Sequence, residues 1–265
     1  MGSRVSEIKR YQIRVEGIVQ GVGFRPFIYG LAIQSCYSGY VLNDVEGVLL
    51  EIQGQDIDIE NFCQCIRTKA PKASYITNIS YHEIDVICDD KEKKKKKSPQ
   101  GLTKETLISP DLAICEDCKR EIKDKNNRRY QYAFTNCTNC GPRFSIVQDI
   151  PYDRQNTTMK VFPMCKKCED EYTNPLDRRF HAQPNACDIC GPQYKLVADK
   201  VYIANESIKK AHELIKKGAI VAVKGIGGYH LVCDAFNEEA VANLRQRKIR
   251  EDKPFAVMAT NLDIV

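Results

Sequence analysis

No apolar run in the 265 residues approaches the ~18 needed to cross a bilayer, which excludes a transmembrane helix. Met1 to Arg10 is polar and charged and lacks the apolar core of a signal peptide. A Walker A sequence is missing, so the lysine-bearing phosphate loop of the common NTPases is excluded. A pervasive charge excess is missing too. The net charge is +5, but Lys91–Lys97 alone holds six lysines against Glu92, and the rest of the chain is near neutral. Neither a general nucleic-acid surface nor a membrane partner is therefore expected, the lysine run reading first as a solvated face. What is present suffices for packed cores: 43% of residues are hydrophobic, and the length suits two or three domains.

The chain is organised around cysteine. Eight of its thirteen cysteines form four Cys-x-x-Cys pairs, Cys115/Cys118, Cys137/Cys140, Cys165/Cys168 and Cys187/Cys190, separated by 18, 24 and 18 residues. Two thiolates two residues apart grip one zinc ion from a tight knuckle, and two such pairs complete a tetrahedral shell, so eight ligands imply two zinc ions. A shift of 50 residues lays Cys115–Cys140 on Cys165–Cys190, Glu121 on Glu171, Arg128-Arg129-Tyr130 on Arg178-Arg179-Phe180, and Gly141-Pro142 on Gly191-Pro192. Spacing leaves open whether each repeat closes its own zinc or the two exchange pairs; one zinc per repeat is the favoured arrangement. With all-thiolate shells and no open position, the sites read as structural, and His181 as a packing or domain-contact residue. Such cysteine usage suits a reducing cytoplasm. Cys36, Cys63, Cys65, Cys88 and Cys233 read as buried or incidental, with Cys63 and Cys65 facing in and out of a helix.

Before the repeats, Tyr11–Glu16 alternates as a half-buried strand does. Phe24, Phe27, Ile28, Leu31 and Ala32 form a helical stripe over 24–36, and Ile59, Phe62, Cys63 and Ile66 another over 57–66. Strands follow at 39–43, 48–52 and 75–84. The order β-α-β-β-α-β is that of a split ferredoxin-like sandwich. Gly21 and Gly23 curl the first β-α loop so that its amides point inward beside a helix N-terminus, a cradle for a phosphate-sized anion, with Arg25 in reach as a bidentate fork. Val19-Gln20-Gly21-Val22-Gly23-Phe24-Arg25, with Gly39-Tyr40-Val41-Leu42-Asn43, Gly47-Val48 and Glu51, resembles the acylphosphatase family over about residues 8–85. The resemblance implies that Arg25 holds the phosphoryl oxygens, that Asn43 orients the attacking water, and that Gln20, Gly21, Val22, Gly23 and Phe24 bind phosphate.

Residues 91–110 read as a charged linker and 111–200 as the repeat pair. In 201–265, Ser207–Lys217 reads as a helix stopped by Gly218, Ala219–Val223 as a buried strand, Glu238–Lys248 as a helix and Pro254–Met258 as a further strand. The run around Arg245, Arg247, Lys248, Arg250, Lys253 and Pro254 resembles the start of the YrdC family. That resemblance implies nucleotide binding by Lys224, Tyr229, His230, Lys248, Arg250 and Lys253. The 65 residues are too few for that family's large sheet, and no natural end is apparent at Val265. The expected fold class is therefore α+β multidomain: an acylphosphatase sandwich over 1–90, a zinc-finger repeat pair, and a truncated α/β YrdC-like domain.

The three parts in this order, with Arg178–Cys187 and Gly227–Leu231, resemble the N-terminal part of the HypF family, carbamoyltransferases of NiFe-hydrogenase maturation. This resemblance implies carbamoyl phosphate and ATP as substrates and Mg-ATP in the full-length protein. It further implies carbamoyl adenylate as the intermediate and the C-terminal cysteine of HypE as acceptor. An alternative is a zinc-dependent RNA- or protein-binding adaptor on an inactive acylphosphatase fold.

Overall fold

The computed structural model describes residues 7–87, 107–249 and 252–264. The expected linker Lys91–Lys97, Cys88 and Arg250 lie outside the described residues. The chain divides into two compact units, Met1–Pro192 and Gln193–Val265.

The first unit begins with β1 (Ile8–Ile18), α1 (Phe24–Gln34), β2 (Ser38–Asn43), β3 (Val48–Gln55), α2 (Ile59–Lys69) and β4 (Tyr75–Glu83). The strands form one antiparallel sheet in the order β2-β3-β1-β4, the expected split β-α-β arrangement. Alternation explains its sidedness. Tyr11, Ile13 and Val15 of β1 and Val48, Leu50 and Ile52 of β3 are buried, and Phe24, Ile28 and Leu31 of α1 and Phe62, Cys63 and Ile66 of α2 cover them. Cys63 lies in this core and Cys65 is only half-buried at its edge. The opposite face of the sheet is polar. There Glu51 accepts hydrogen bonds from Arg10, Gln12 and Tyr40, so that burial of its carboxylate leaves no charge unpaired.

Each cysteine repeat opens with a knuckle and a short helix, α3 (Glu116–Lys123) and α4 (Lys166–Thr173). The first cysteine of each repeat, Cys115 or Cys165, is the N-cap, and the second lies buried in the first turn. After each helix the chain returns through a residue with left-handed backbone, Gln131 (φ 57°) and His181 (φ 55°), 50 positions apart.

The second unit holds a hairpin of β5 (Lys195–Val197) and β6 (Val201–Ile203), then α5 (Ala204–Lys216), a hairpin of β7 (Val221–Gly225) and β8 (Gly228–Val232), and α6 (Glu238–Lys248). Gly218 at φ 83° ends the first of these helices, as its place in the sequence suggests. Two expectations fail here. The apolar run Ala219–Val223 is not a buried strand: β7 starts at Val221, pairs among the described residues on one side only, with β8, and buries Val221 alone among its own residues. Pro254–Met258 forms no strand; among the described residues no partner edge is hydrogen-bonded to it, and Met258 is 99% exposed. A strand needs a ladder, and an apolar sequence alone does not supply one.

Candidate anion site and four-cysteine centres

The loop from β1 to α1 carries the candidate anion site. Gly21 (φ 73°) and Gly23 (φ 77°) take left-handed backbone, which glycine adopts without a Cβ penalty. The Phe27 N–H bonds back to the Gly23 carbonyl at 3.1 Å, so the amides ahead of it stand at the positive end of α1. Val22 and Phe24 point into the core, which leaves their backbone for a ligand. Gln20 is spent elsewhere. Its amide donates to the Asp44 and Gly47 carbonyls at 2.7 and 2.6 Å and its oxygen accepts the Tyr152 N–H at 2.7 Å. Any role of Gln20 at the anion therefore falls to its main chain. Arg25 stands in the first turn of α1, and Asn43 ends β2, buried.

The second wall of this site comes from the cysteine repeats. Arg25 Nη1 donates to Asp153 Oδ1 at 2.6 Å and Nη2 to the Tyr152 carbonyl at 3.4 Å. Asn43 Nδ2 donates to the same carbonyl at 3.0 Å. Arg143, fully buried, donates through Nε to the Gly21 carbonyl, and its remaining nitrogens donate to the carbonyls of Cys137, Thr138, Cys140 and Pro142 at 2.8–3.2 Å. A Cβ at Gly21 would meet the Arg143 side chain at 3.0 Å and Tyr152 at 3.4 Å, so the cradle and the repeat fit each other closely. Burial pushes the Tyr152 phenol up to about 12, which keeps it neutral. The partly open space beside the loop has a volume of about 20 Å³ and is lined by Gly21, Arg25, Asn43, Tyr152, His181 and Gln183, among others. His181 packs edge-on against Phe180 and tilted against Tyr172, and belongs to no four-cysteine group.

The structure thus brings Arg25 and Asn43 together at the glycine loop. Arg143, Tyr152, Asp153 and Gln183 are site residues that the sequence reading did not single out. One signal was available: Arg143 falls where the second repeat has Gln193, and 151–153 lie between the repeats, so both depart from the 50-residue pattern.

The eight cysteines form two groups, one within each repeat: Cys115, Cys118, Cys137 and Cys140, and Cys165, Cys168, Cys187 and Cys190. Within each group the Sγ atoms all lie within 4.8 Å of one another. The Cys115–Cys137, Cys137–Cys140, Cys165–Cys187 and Cys187–Cys190 Sγ separations are 3.7–3.8 Å. A tetrahedron of thiolates about 2.3 Å from zinc has edges of about 3.8 Å, so the donor sets fit that ion.

The metal groups stay within their repeats, but the arginines cross between them. Arg128 Nη2 donates to Cys168 Sγ at 3.2 Å, and Arg178 Nη1 to Cys118 Sγ at 3.1 Å. Arg129, 2% exposed, donates to Glu171 and to the Ala186 carbonyl (3.0 Å), while Arg179 donates to Glu121 and to the Asn136 carbonyl (3.0 Å). These contacts map onto each other under the 50-residue shift. Burial alone would raise the Glu171 carboxyl, but Arg129 and Arg128 outweigh it and hold the group at about 2. Glu121 is lowered against its burial in the same way by Arg179 and Arg178.

In the second unit, Lys224 and Tyr229 are paired across β7 and β8, with the ammonium 5.9 Å from the ring centroid, and His230 is paired with Val223. Lys248 ends α6, and the Lys253 carbonyl accepts from Arg245 at 3.3 Å. The structure places the hairpin group and the α6 group on separate elements.

Three family models match the chain. They are Acylphosphatase over residues 11–95, the HypF finger over 114–147 and again over 164–197, and a YrdC-type family described as "Telomere recombination" over 213–265. The chain is 47% identical over 258 residues to "Carbamoyltransferase HypF" of Rhodobacter capsulatus, covering 97% of this chain and 34% of the relative. Over 77 residues it is 40% identical to the acylphosphatase of Thermotoga maritima, covering 29% of this chain and 84% of the relative. A solved structure described as full-length HypF in the phosphate- and nucleotide-bound form matches with a TM-score of 0.82 at 46% identity, covering 99% of this chain and 34% of that one. The chain spans about a third of the length of these HypF relatives. With an acylphosphatase sandwich, two HypF fingers and the opening of a YrdC-type segment in one chain, this protein belongs to the HypF family.

Proposed function

We propose that this chain hydrolyses carbamoyl phosphate as the first step of a carbamoyltransferase reaction. One observation carries the reading: Arg25 and Asn43, on different elements, converge on one carbonyl at the mouth of the glycine loop. In the proposed step Arg25 and the loop amides hold the phosphoryl oxygens and take up the charge that develops on them. Asn43 orients a water for in-line attack on phosphorus. The bond from phosphorus to the carbamoyl oxygen breaks, and carbamate and phosphate leave. The leaving group is a carboxylate, so positioning and charge stabilisation suffice without a strong general base.

Carbamate decomposes rapidly in water, which favours its use close to where it forms. The reading therefore continues with condensation of carbamate and Mg-ATP to carbamoyl adenylate and pyrophosphate. Lys224, Tyr229, His230, Lys248, Arg250 and Lys253 would contact the nucleotide together with further sequence of the full-length relatives. Transfer to the C-terminal cysteine of HypE, for the cyanide ligand of NiFe-hydrogenase, would follow. The cysteine groups would each hold one zinc ion through four thiolates, as structural frames in a reducing cytoplasm. Their donors leave no open position for substrate.

Phosphate release from carbamoyl phosphate, without ATP, tests the first step. Arg25→Ala is expected to abolish it with zinc content and circular dichroism unchanged. Asn43→Ala is expected to lower kcat more than phosphate affinity. Wild-type turnover in Arg25→Ala would overturn the assignment.

A further inference from the structure

We propose that Asp153 is the resting partner of the phosphoryl-binding arginine, an internal carboxylate that substrate must displace from Arg25; this rests on the acylphosphatase reading. The group meant for phosphoryl oxygens is already engaged. Arg25 Nη1 donates to Asp153 Oδ1 at 2.6 Å, with the two side chains only 12% and 22% exposed. Beside Arg25 and the glycine loop there is room for about one water, about 20 Å³, and Asp153 stands at the arginine rather than in the lining of that space. A phosphoryl group gains Arg25 Nη1 only where the carboxylate leaves it.

The backbone around Asp153 shows what moves. The Tyr152 N–H is held by Gln20 at 2.7 Å, and the Tyr152 carbonyl accepts from Asn43 at 3.0 Å. On the other side the Arg154 N–H donates to Gln183 Oε1 at 2.7 Å, and the Arg154 guanidinium to the Gln183 and Asn185 carbonyls at 2.6 and 2.9 Å. The main chain is pinned before and after Asp153, so its side chain is the displaceable part. Rotation about its Cα–Cβ bond vacates Arg25 without opening the wall.

The chemistry that follows is selection by charge. A phosphoryl dianion offers Arg25 and the loop amides more charge and more acceptor oxygens than one carboxylate, and displaces it. Free carboxylates carry the same charge as Asp153, which has the advantage of being tethered beside the arginine. Acyl phosphates are admitted and carboxylates, including the carbamate product, are turned away. The returning carboxylate also helps expel product phosphate.

The test is calorimetry with inorganic phosphate on the whole chain, beside inhibition of carbamoyl phosphate hydrolysis by acetate. Asp153→Asn, and Asp153→Ser as a second variant, are expected to bind phosphate at least tenfold more tightly than wild type. Both are expected to become inhibitable by acetate at concentrations that leave wild type unaffected, with two zinc ions per chain as the check on folding. Unchanged or weaker phosphate binding in both folded variants overturns the proposal. If hydrolysis is Arg25-dependent and the Asp153 variants gain nothing, this inference alone fails. If the wild-type chain releases no phosphate from carbamoyl phosphate and Arg25→Ala binds phosphate as wild type does, the acylphosphatase reading fails and takes the inference with it.

Discussion

Under the 50-residue shift Arg129 falls on Arg179, Gln131 on His181 and Gly141-Pro142 on Gly191-Pro192, yet Arg143 falls on Gln193. Up to that point the two repeats obey one plan, down to the left-handed residue after each helix and the arginine that donates to a carbonyl of the other repeat. Beyond it they part. The first repeat sends Arg143 under the glycine loop and leads on to Tyr152 and Asp153 at Arg25, whereas the second ends at the boundary between the two units. The second repeat still lends His181 and Gln183 to the lining of the candidate anion site. The shared positions build a frame, and the unshared ones attach that frame to the chemistry.

Removing metal probes the shared part and has the largest expected effect. Binding in small zinc modules supplies roughly 10–16 kcal/mol per site in model peptides. A strong chelator is expected to unfold both repeats together, read by circular dichroism and metal analysis. Cys140→Ser and Cys190→Ser should then separate the two. Each is expected to cost one zinc, but the first should lower carbamoyl phosphate hydrolysis at least tenfold more than the second, because Arg143 hangs on the Cys137, Thr138 and Cys140 carbonyls. Equal losses would remove the asymmetry argued above.

Arg129→Ala and Arg179→Ala come next. Each takes from a mostly buried glutamate, Glu171 or Glu121, the more buried of its two arginine partners and leaves it Arg128 or Arg178 alone, so the loss is expected to approach the about 3–5 kcal/mol of a broken buried pair. Urea denaturation is expected to give the two variants similar losses, and a loss in one alone would break the two-fold correspondence. The smallest effect belongs to Arg128→Ala and Arg178→Ala. Each removes a charge-assisted bond to a thiolate of the opposite repeat, worth about 1.5–3 kcal/mol, and the more exposed of the two arginines on Glu171 or Glu121, which keeps its buried partner. With cadmium-113 in both sites, Arg128→Ala is expected to shift the resonance of the Cys165–Cys190 site and speed its exchange, and Arg178→Ala that of the Cys115–Cys140 site. A shift of the near site instead would show that the crossing does not matter to the metal.

Local pattern was enough for the sandwich. Alternation in β1, the helical stripes of α1 and α2 and the glycines at 21 and 23 place the sheet, the core and the glycine turn, because burial of a face imposes its period on the chain. The cysteine spacing and its repetition likewise implied two four-thiolate groups, since a knuckle is a local structure. Ala219–Val223 and Pro254–Met258 misled because an apolar run states a need for neighbours without providing them. Whether each repeat would keep its own cysteines was open in the sequence and was decided by packing, as was the crossing of Arg128 and Arg178 to the opposite thiolates. Nor could the sequence show that Asp153 meets Arg25. The two are 128 positions apart, and no periodicity links a loop of the sandwich to a loop of the repeats. That contact exists because Arg143, buried with five carbonyls around it, locks one folded surface onto the other, and such long-range fit is visible only once both surfaces are formed.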